Sequence, residues 1–303
     1  SFTNAKFPHL KYLGFYTNYI ESPRYWVCPD DVAALIENCH NSLEQVMLPR
    51  TGNCIISSNK LVKALRLCRN IKDLQWRTSQ PLPLFFGAMT CFSQLNKLDI
   101  DVGIVRSDTL HEMAQICKDL NELIVENCSQ DFPGLISLID AQRNLKSVNI
   151  CVNENNKGTC KELGKALARK GDTINRLFLN SISIIPPSFL TSFVKLNNIS
   201  LFNYEDHDSR EEVEQLQQYL AVSEFPDLES LYANKLCFKV LAMIIEKTSG
   251  NISVVHAYNK NAKDVGMLIR AITNNCPKIK QLFIYLKSED FIHMKQLLLN
   301  CKQ

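Results

Sequence analysis

Three apolar residues spaced as L-x-x-L-x-L recur eleven times along the 303 residues of this chain. The first position falls at Leu10, Leu43, Ile71, Leu95, Leu120, Leu145, Ile174, Leu196, Leu228, Ile252 and Ile279, at intervals of 22 to 33 residues. LKYLGF, IKDLQW, LNKLDI, INRLFL and IKQLFI are representative copies. Apolar residues alternating with others at the end of each copy fit a short strand buried on one face. A period of this size running through a whole chain marks a stack of one supersecondary unit, since a single unit cannot bury its own apolar face.

The stretches between copies carry the other half of that unit. DDVAALIENC (30–39), SSNKLVKALRLC (57–68), SDTLHEMAQIC (107–117), CKELGKALARKG (160–171) and AKDVGMLIRAITNNC (262–276) place apolar residues at helical spacing. Ser or Asp at several of their starts predicts side-chain N-caps. Strand, turn and helix repeated in this way predict an α/β solenoid shaped as a horseshoe. Parallel strands line its concave face, helices its convex face, in about eleven repeats. The expected domain is a single one over 1–303, apparently truncated at both ends. The first strand pattern already occupies 10–15, NCKQ (300–303) stops where another strand is due, and neither end shows the polar cap of a solenoid. Three connections are irregular: PLPLFFG (81–87), a proline-interrupted turn; NENNKG (153–158), a polar loop; and NYEDHDSREEVEQLQQYL (203–220), a charged loop leading into a helix.

Twelve cysteines are more than such a chain needs, yet no C-x-x-C occurs, which removes the strongest zinc and redox spacings. HEMAQ (111–115) opens like a zinc motif, but Gln115 cannot be its second ligand. Cys68, Cys117 and Cys276 each lie three residues before a first strand position, where Phe7, Phe92 and Phe225 stand in other repeats. A place that accepts either Cys or Phe is a core place. No metal and no cofactor are therefore expected. Free buried thiols suit a reducing compartment, so the expected location is intracellular, cytoplasmic or nuclear.

Cys117 to Cys128, CKDLNELIVENC, follows C-x-x-L-x-x-L-x-L-x-x-C, and CPKIKQLFIYL (276–286) follows its first part. This form resembles the cysteine-containing class of leucine-rich repeats, as found in F-box/LRR proteins, the substrate receptors of SCF ubiquitin ligases. CFSQLNKLDI (91–100), LIDAQRNLKSVNI (138–150) and SFVKLNNISLFNYED (192–206) look similar to the large paralogous sets of such proteins in some fungi. The resemblance implies a protein-recognition module that delivers a target for ubiquitin-dependent degradation. It would join the SCF adaptor and cullin only through an upstream F-box, and no F-box pattern is visible in this chain. The alternative is a protein-binding scaffold of leucine-rich repeats unconnected with ubiquitin.

Strand alternation sends positions 3, 5 and 7 of each copy away from the core, onto the concave face. The middle repeats place Asp99, Asp101, Glu122 and Glu126 there, and the later ones Phe178, Phe202, Tyr232, His256, Tyr258, Phe283 and Tyr285. Aromatics on a concave sheet serve interfaces as anchors, and an acidic zone beside them would orient a basic segment. Strands also favour aromatics by propensity, and carboxylates also make a solvated face. At the level of sequence both readings stand.

Other classes are disfavoured. No G-x-S-x-G or phosphate loop is present, the six histidines are scattered, and no enzyme activity is expected. A net charge of +3 with acids on the strands is a poor footprint for nucleic acid. No apolar run approaches the roughly 18 residues of a membrane span.

Overall fold

A computed structural model describes residues 7–14, 29–48, 58–76, 91–152, 158–181, 184–203, 210–260 and 263–300. They fall into two compact units, one of residues 1–128 with 132–145, the other of 129–131 with 146–303. PLPLFFG and nearly all of NENNKG lie outside the described residues.

In the first unit β1 (Tyr12–Gly14), β2 (Gln45–Leu48), β3 (Asp73–Trp76), β4 (Lys97–Asp101) and β5 (Glu122–Cys128) pair in chain order, all parallel. Helices α1 (Pro29–Cys39) and α2 (Ser58–Leu67) pack together, as do α3 (Ser107–Ile116) and α4 (Pro133–Ala141). In the second unit β6 (Ser147–Val152), β7 (Arg176–Leu179), β8 (Asn198–Phe202), β9 (Ser230–Asn234), β10 (Val254–Tyr258) and β11 (Gln281–Ile284) also pair parallel in chain order. Helices α5 (Lys161–Ala168), α6 (Arg210–Val222), α7 (Phe238–Glu246), α8 (Val265–Asn275) and α9 (Phe291–Asn300) accompany them.

Every strand falls on its L-x-x-L-x-L copy, and register pairs equivalent positions: Asp73 with Lys97 with Glu122, Ser200 with Tyr232 with His256. This follows from the pleat, because slipping one residue would turn the buried Leu98 and Ile100 toward solvent. Each such side chain contributes roughly 1.5–3 kcal/mol when fully buried. The first positions, including Leu43, Ile71, Leu120, Ile174 and Leu228, are also buried. The shortest repeat, Ile174 to Leu196, has no room for an α-helix and carries Pro186 and Pro187. It uses a 3-10 turn at Pro187–Ser192, with Phe189 and Phe193 meeting edge to face at 5.5 Å.

At α3 and α8 the expected helix caps are not made as the sequence suggested. Arg106 precedes α3, and Ser107, its first helical residue, instead accepts the Gly134 N–H of the next repeat at 2.8 Å. Asp264 sits before α8 in a left-handed conformation without capping it. Asp131, just ahead of the Phe132 N-cap of α4, accepts the N–H groups of Glu162 and Leu163 at 3.0 and 2.9 Å and so holds the start of α5. Side chains here satisfy helix ends in the neighbouring repeat, which couples repeats that are distant in sequence.

The junction cysteines are core residues. Cys39, Cys68, Cys91, Cys117 and Cys276 are buried, and the Cys117 thiol donates to the Phe92 carbonyl at 3.1 Å. Burial pushes the Cys39 thiol up to about 11 and those of Cys68, Cys91 and Cys117 up to about 12. At pH 8 a thiol near 12 holds on the order of a thousandfold less thiolate than an ordinary one. Maleimide labelling of the native protein at pH 8, mapped by mass spectrometry, should therefore modify Cys117 on the order of a hundredfold more slowly than the half-buried Cys237. Equal rates at the two sites would mean that the junction position is not part of a packed core.

Candidate functional site

Strand residues at positions 3, 5 and 7 form the face that the core leaves open, and the two units dress it differently. In the first unit Asp73, Lys97 and Glu122 lie in one register row, with Lys97 and Glu122 ion-paired at 3.0 Å. Burial raises the Asp73 carboxyl above its usual value. Lys97 works against that shift, while Glu122 and Asp99 add to it.

The four acids expected here do not behave alike. Glu122 and Glu126 are half-buried on the strand face. Asp99 is only 7% exposed, between Gln75 and Ile124 in register. Asp101 is fully buried: one carboxylate oxygen accepts the Gly103 N–H at 3.0 Å and the other the Asn127 side-chain amide at 2.8 Å. It holds the turn that leaves β4 and is not presented to a partner. Alternation along a strand says which face a residue takes, not whether a side chain 26 residues away has claimed it.

In the second unit the expected aromatics are brought together. Phe178 and Phe202 contact at 5.1 Å between ring centroids. Tyr232, His256 and Phe283 form a run across β9, β10 and β11, with centroids 4.8 and 4.2 Å apart, and Tyr258 meets Tyr285 edge to face at 5.6 Å. In-register parallel strands bring equivalent positions within reach of one another, which pairs Tyr232, His256 and Phe283 and pairs Tyr258 with Tyr285, while Phe178 reaches Phe202 diagonally, Ser200 being its register partner. Tyr258, Phe283 and Tyr285 remain exposed, at 46%, 59% and 38%. That is unusual for large apolar side chains grouped together.

Two neighbouring polar residues behave unlike their counterparts. Asn180, at position 7 of its copy, accepts the Val152 N–H and donates to the Val152 carbonyl, so it is spent on strand pairing. Asn234, at the same position, has a buried side-chain oxygen with no hydrogen-bond partner, and the buried Nε2 of His256 has none either. Asn234 was not singled out by composition or spacing, because nothing in sequence distinguishes it from Asn180.

Among the described residues no three His, Cys, Asp or Glu side chains are placed to hold a metal ion, and no helix is long and apolar enough to cross a membrane.

Parallel strands in sequence order, each carrying L-x-x-L-x-L, with helical segments between most of them among the described residues, make this a leucine-rich-repeat fold. No family model matches the chain, and no curated protein matches it. Among solved structures the chain is similar to the leucine-rich-repeat-containing protein LegL7 from Legionella pneumophila, with 14% identity, 96% of this chain and 90% of that chain covered, and a TM-score of 0.45.

Proposed function

We propose that this chain is a protein-recognition module that seats its partner on the open strand face, and that it is the substrate-binding part of an SCF-type ubiquitin ligase receptor. The observation that carries recognition is the group of exposed rings in the second unit: Tyr258 and Tyr285, which meet edge to face, and Phe283, which packs on His256. Rigid aromatics bury much area at small cost in side-chain entropy, which is why they anchor interfaces. The half-buried Glu122 and Glu126 of the first unit add a preference for basic segments in the partner. The ligase assignment rests on the cysteine-containing repeat form of Cys117 to Cys128. Its work would be positional, holding a target near a ubiquitin-loaded enzyme. Contact with the adaptor and cullin would run through an F-box.

Two measurements on the intact native protein test the two levels of this reading. Co-precipitation with the SCF adaptor is expected, and its failure would leave a recognition scaffold outside the ubiquitin system. Replacing Tyr258 and Tyr285 together by alanine is expected to weaken binding of the captured target by about tenfold or more. Unchanged affinity would remove the strand face from the account.

A further inference from the structure

The open face of β9, β10 and β11 carries nine side chains in three rows: Ser230, Val254 and Gln281; Tyr232, His256 and Phe283; Asn234, Tyr258 and Tyr285. None is a carboxylate, Lys or Arg. Three of its rings are exposed, and two of its polar atoms, the Asn234 side-chain oxygen and His256 Nε2, are buried without a hydrogen-bond partner. Native structures leave few buried polar atoms unpaired, so two within one tile of neighbouring strands call for an explanation. Both sit next to rings. His256 is held between Tyr232 and Phe283, and Asn234 is in register with Tyr258.

We infer that this tile is a seat for an arginine side chain of the protein partner, an inference that rests on the recognition reading above. An amide oxygen only accepts hydrogen bonds, and a neutral imidazole protonated on Nδ1 presents Nε2 as a second acceptor. A ligand that completes both must be rich in donors. It must also lie well against aromatic faces, whose negative quadrupole favours a cation. A guanidinium meets both demands, with five N–H groups in a planar, weakly hydrated ion that stacks on rings. Lysine fits less well, because its compact ammonium holds water strongly and cannot stack. An apolar anchor would cover the rings yet leave both acceptors unpaired. A carboxylate would bring acceptors to acceptors.

The tile has no charge of its own to repel a cation, and the segments that follow its strands carry both signs, with Lys235, Lys260 and Lys287 near Asp264, Glu289 and Asp290. Entry requires the exposed rings to swing aside. Phe283 and Tyr258 are the most exposed of them, and rotamer changes of exposed side chains are fast.

The test is titration of the intact protein with five short peptides, acetyl-Gly-Ala-X-Ala-Gly-amide with X as Arg, Lys, citrulline, Phe or Glu. Binding is followed by NMR shifts of the histidine and tyrosine ring protons. The Arg peptide is expected to bind about tenfold more tightly than the Lys and citrulline peptides. Phe283→Ala should abolish that preference, while Phe283→Tyr should retain it with unchanged circular dichroism. His256→Leu and Asn234→Leu should each lose the Arg preference while raising the melting temperature, since each removes an unpaired buried atom. If the Phe peptide binds best and Phe283→Ala weakens it, the arginine assignment falls while the face remains a recognition surface. If no peptide produces shifts that depend on Phe283, both the assignment and the recognition reading fall.

Discussion

Gly134→Ala is expected to destabilise the first unit by about 2–3 kcal/mol, against the direction that helix propensity alone would give. Gly134 is the second residue of α4, and alanine in a helix is ordinarily favoured over glycine by roughly 0.5–1 kcal/mol. Here a β-carbon would run into the backbone carbonyl of Ser107, far inside van der Waals contact, and crowd Leu110 as well. That carbonyl belongs to α3, and the Gly134 N–H already donates to the Ser107 hydroxyl. Neither helix can move away without loosening the packing of the pair, and overpacking of this kind costs about 1–3 kcal/mol, occasionally more. Sterics therefore outweighs propensity. Gly164→Ala supplies the control. It too lies within a helix, but its nearest neighbour is a side-chain methyl of Ile185 at 3.3 Å, which can yield a few tenths of an ångström. Urea unfolding should lower the midpoint for the first substitution and leave it unchanged or raised for the second. If Gly134→Ala raises the midpoint, α3 and α4 are not in the close approach described.

This contrast also marks how far the sequence could be read. The eleven described strands are legible because position within L-x-x-L-x-L fixes both face and register, and the same spacing recurs in copy after copy. Helices α2, α3 and α5 are legible because their polar faces break the apolar pattern at helical period. FKVLAMIIE, which forms α7, is apolar nearly all round and shows no such period. The 3-10 turn at Pro187–Ser192 follows only once 22 residues are known to span a whole repeat.

At the candidate site the rings were legible and the polar residues were not. Phe178, Phe202, Tyr232, His256, Tyr258, Phe283 and Tyr285 all lie on the open face and contact one another, because register pairing brings equivalent or diagonal positions of adjacent strands together. Asp101 and Asn180 occupy equally outward positions, yet their short polar side chains reach backbone or side-chain groups of the adjacent repeat. Such groups are about one repeat away in sequence, and no local pattern announces them.

Gln142 shows the same principle at its strongest, and replacing it with leucine is expected to cost about 2–3 kcal/mol. It stands three residues before Leu145, at the junction position that Cys68, Cys117, Phe92 and Phe225 fill in other repeats. A reader of the pattern would expect an apolar residue to be welcome there. The side chain is 1% exposed and every direction of its amide is used. Its oxygen accepts the Leu120 N–H at 2.9 Å, and its nitrogen donates to the carbonyls of Cys117 and Leu138, each at 2.8 Å. Leucine has similar bulk and would gain roughly 1–2 kcal/mol from burial of its apolar surface. Against that, it strands one N–H and two carbonyls inside the core, each at about 1–3 kcal/mol. The loss wins because the partners are backbone and cannot turn to water. Cys117→Ala, which removes only a weak thiol donor and little volume, should cost about 1 kcal/mol at the equivalent position one repeat earlier. Amide hydrogen exchange would report the difference locally, with protection at Leu120 falling in the Gln142→Leu protein and persisting after Cys117→Ala. A Gln142→Leu protein as stable as the parent, with Leu120 still protected, would show that the glutamine is a passive filler and that the repeats do not depend on it for their register.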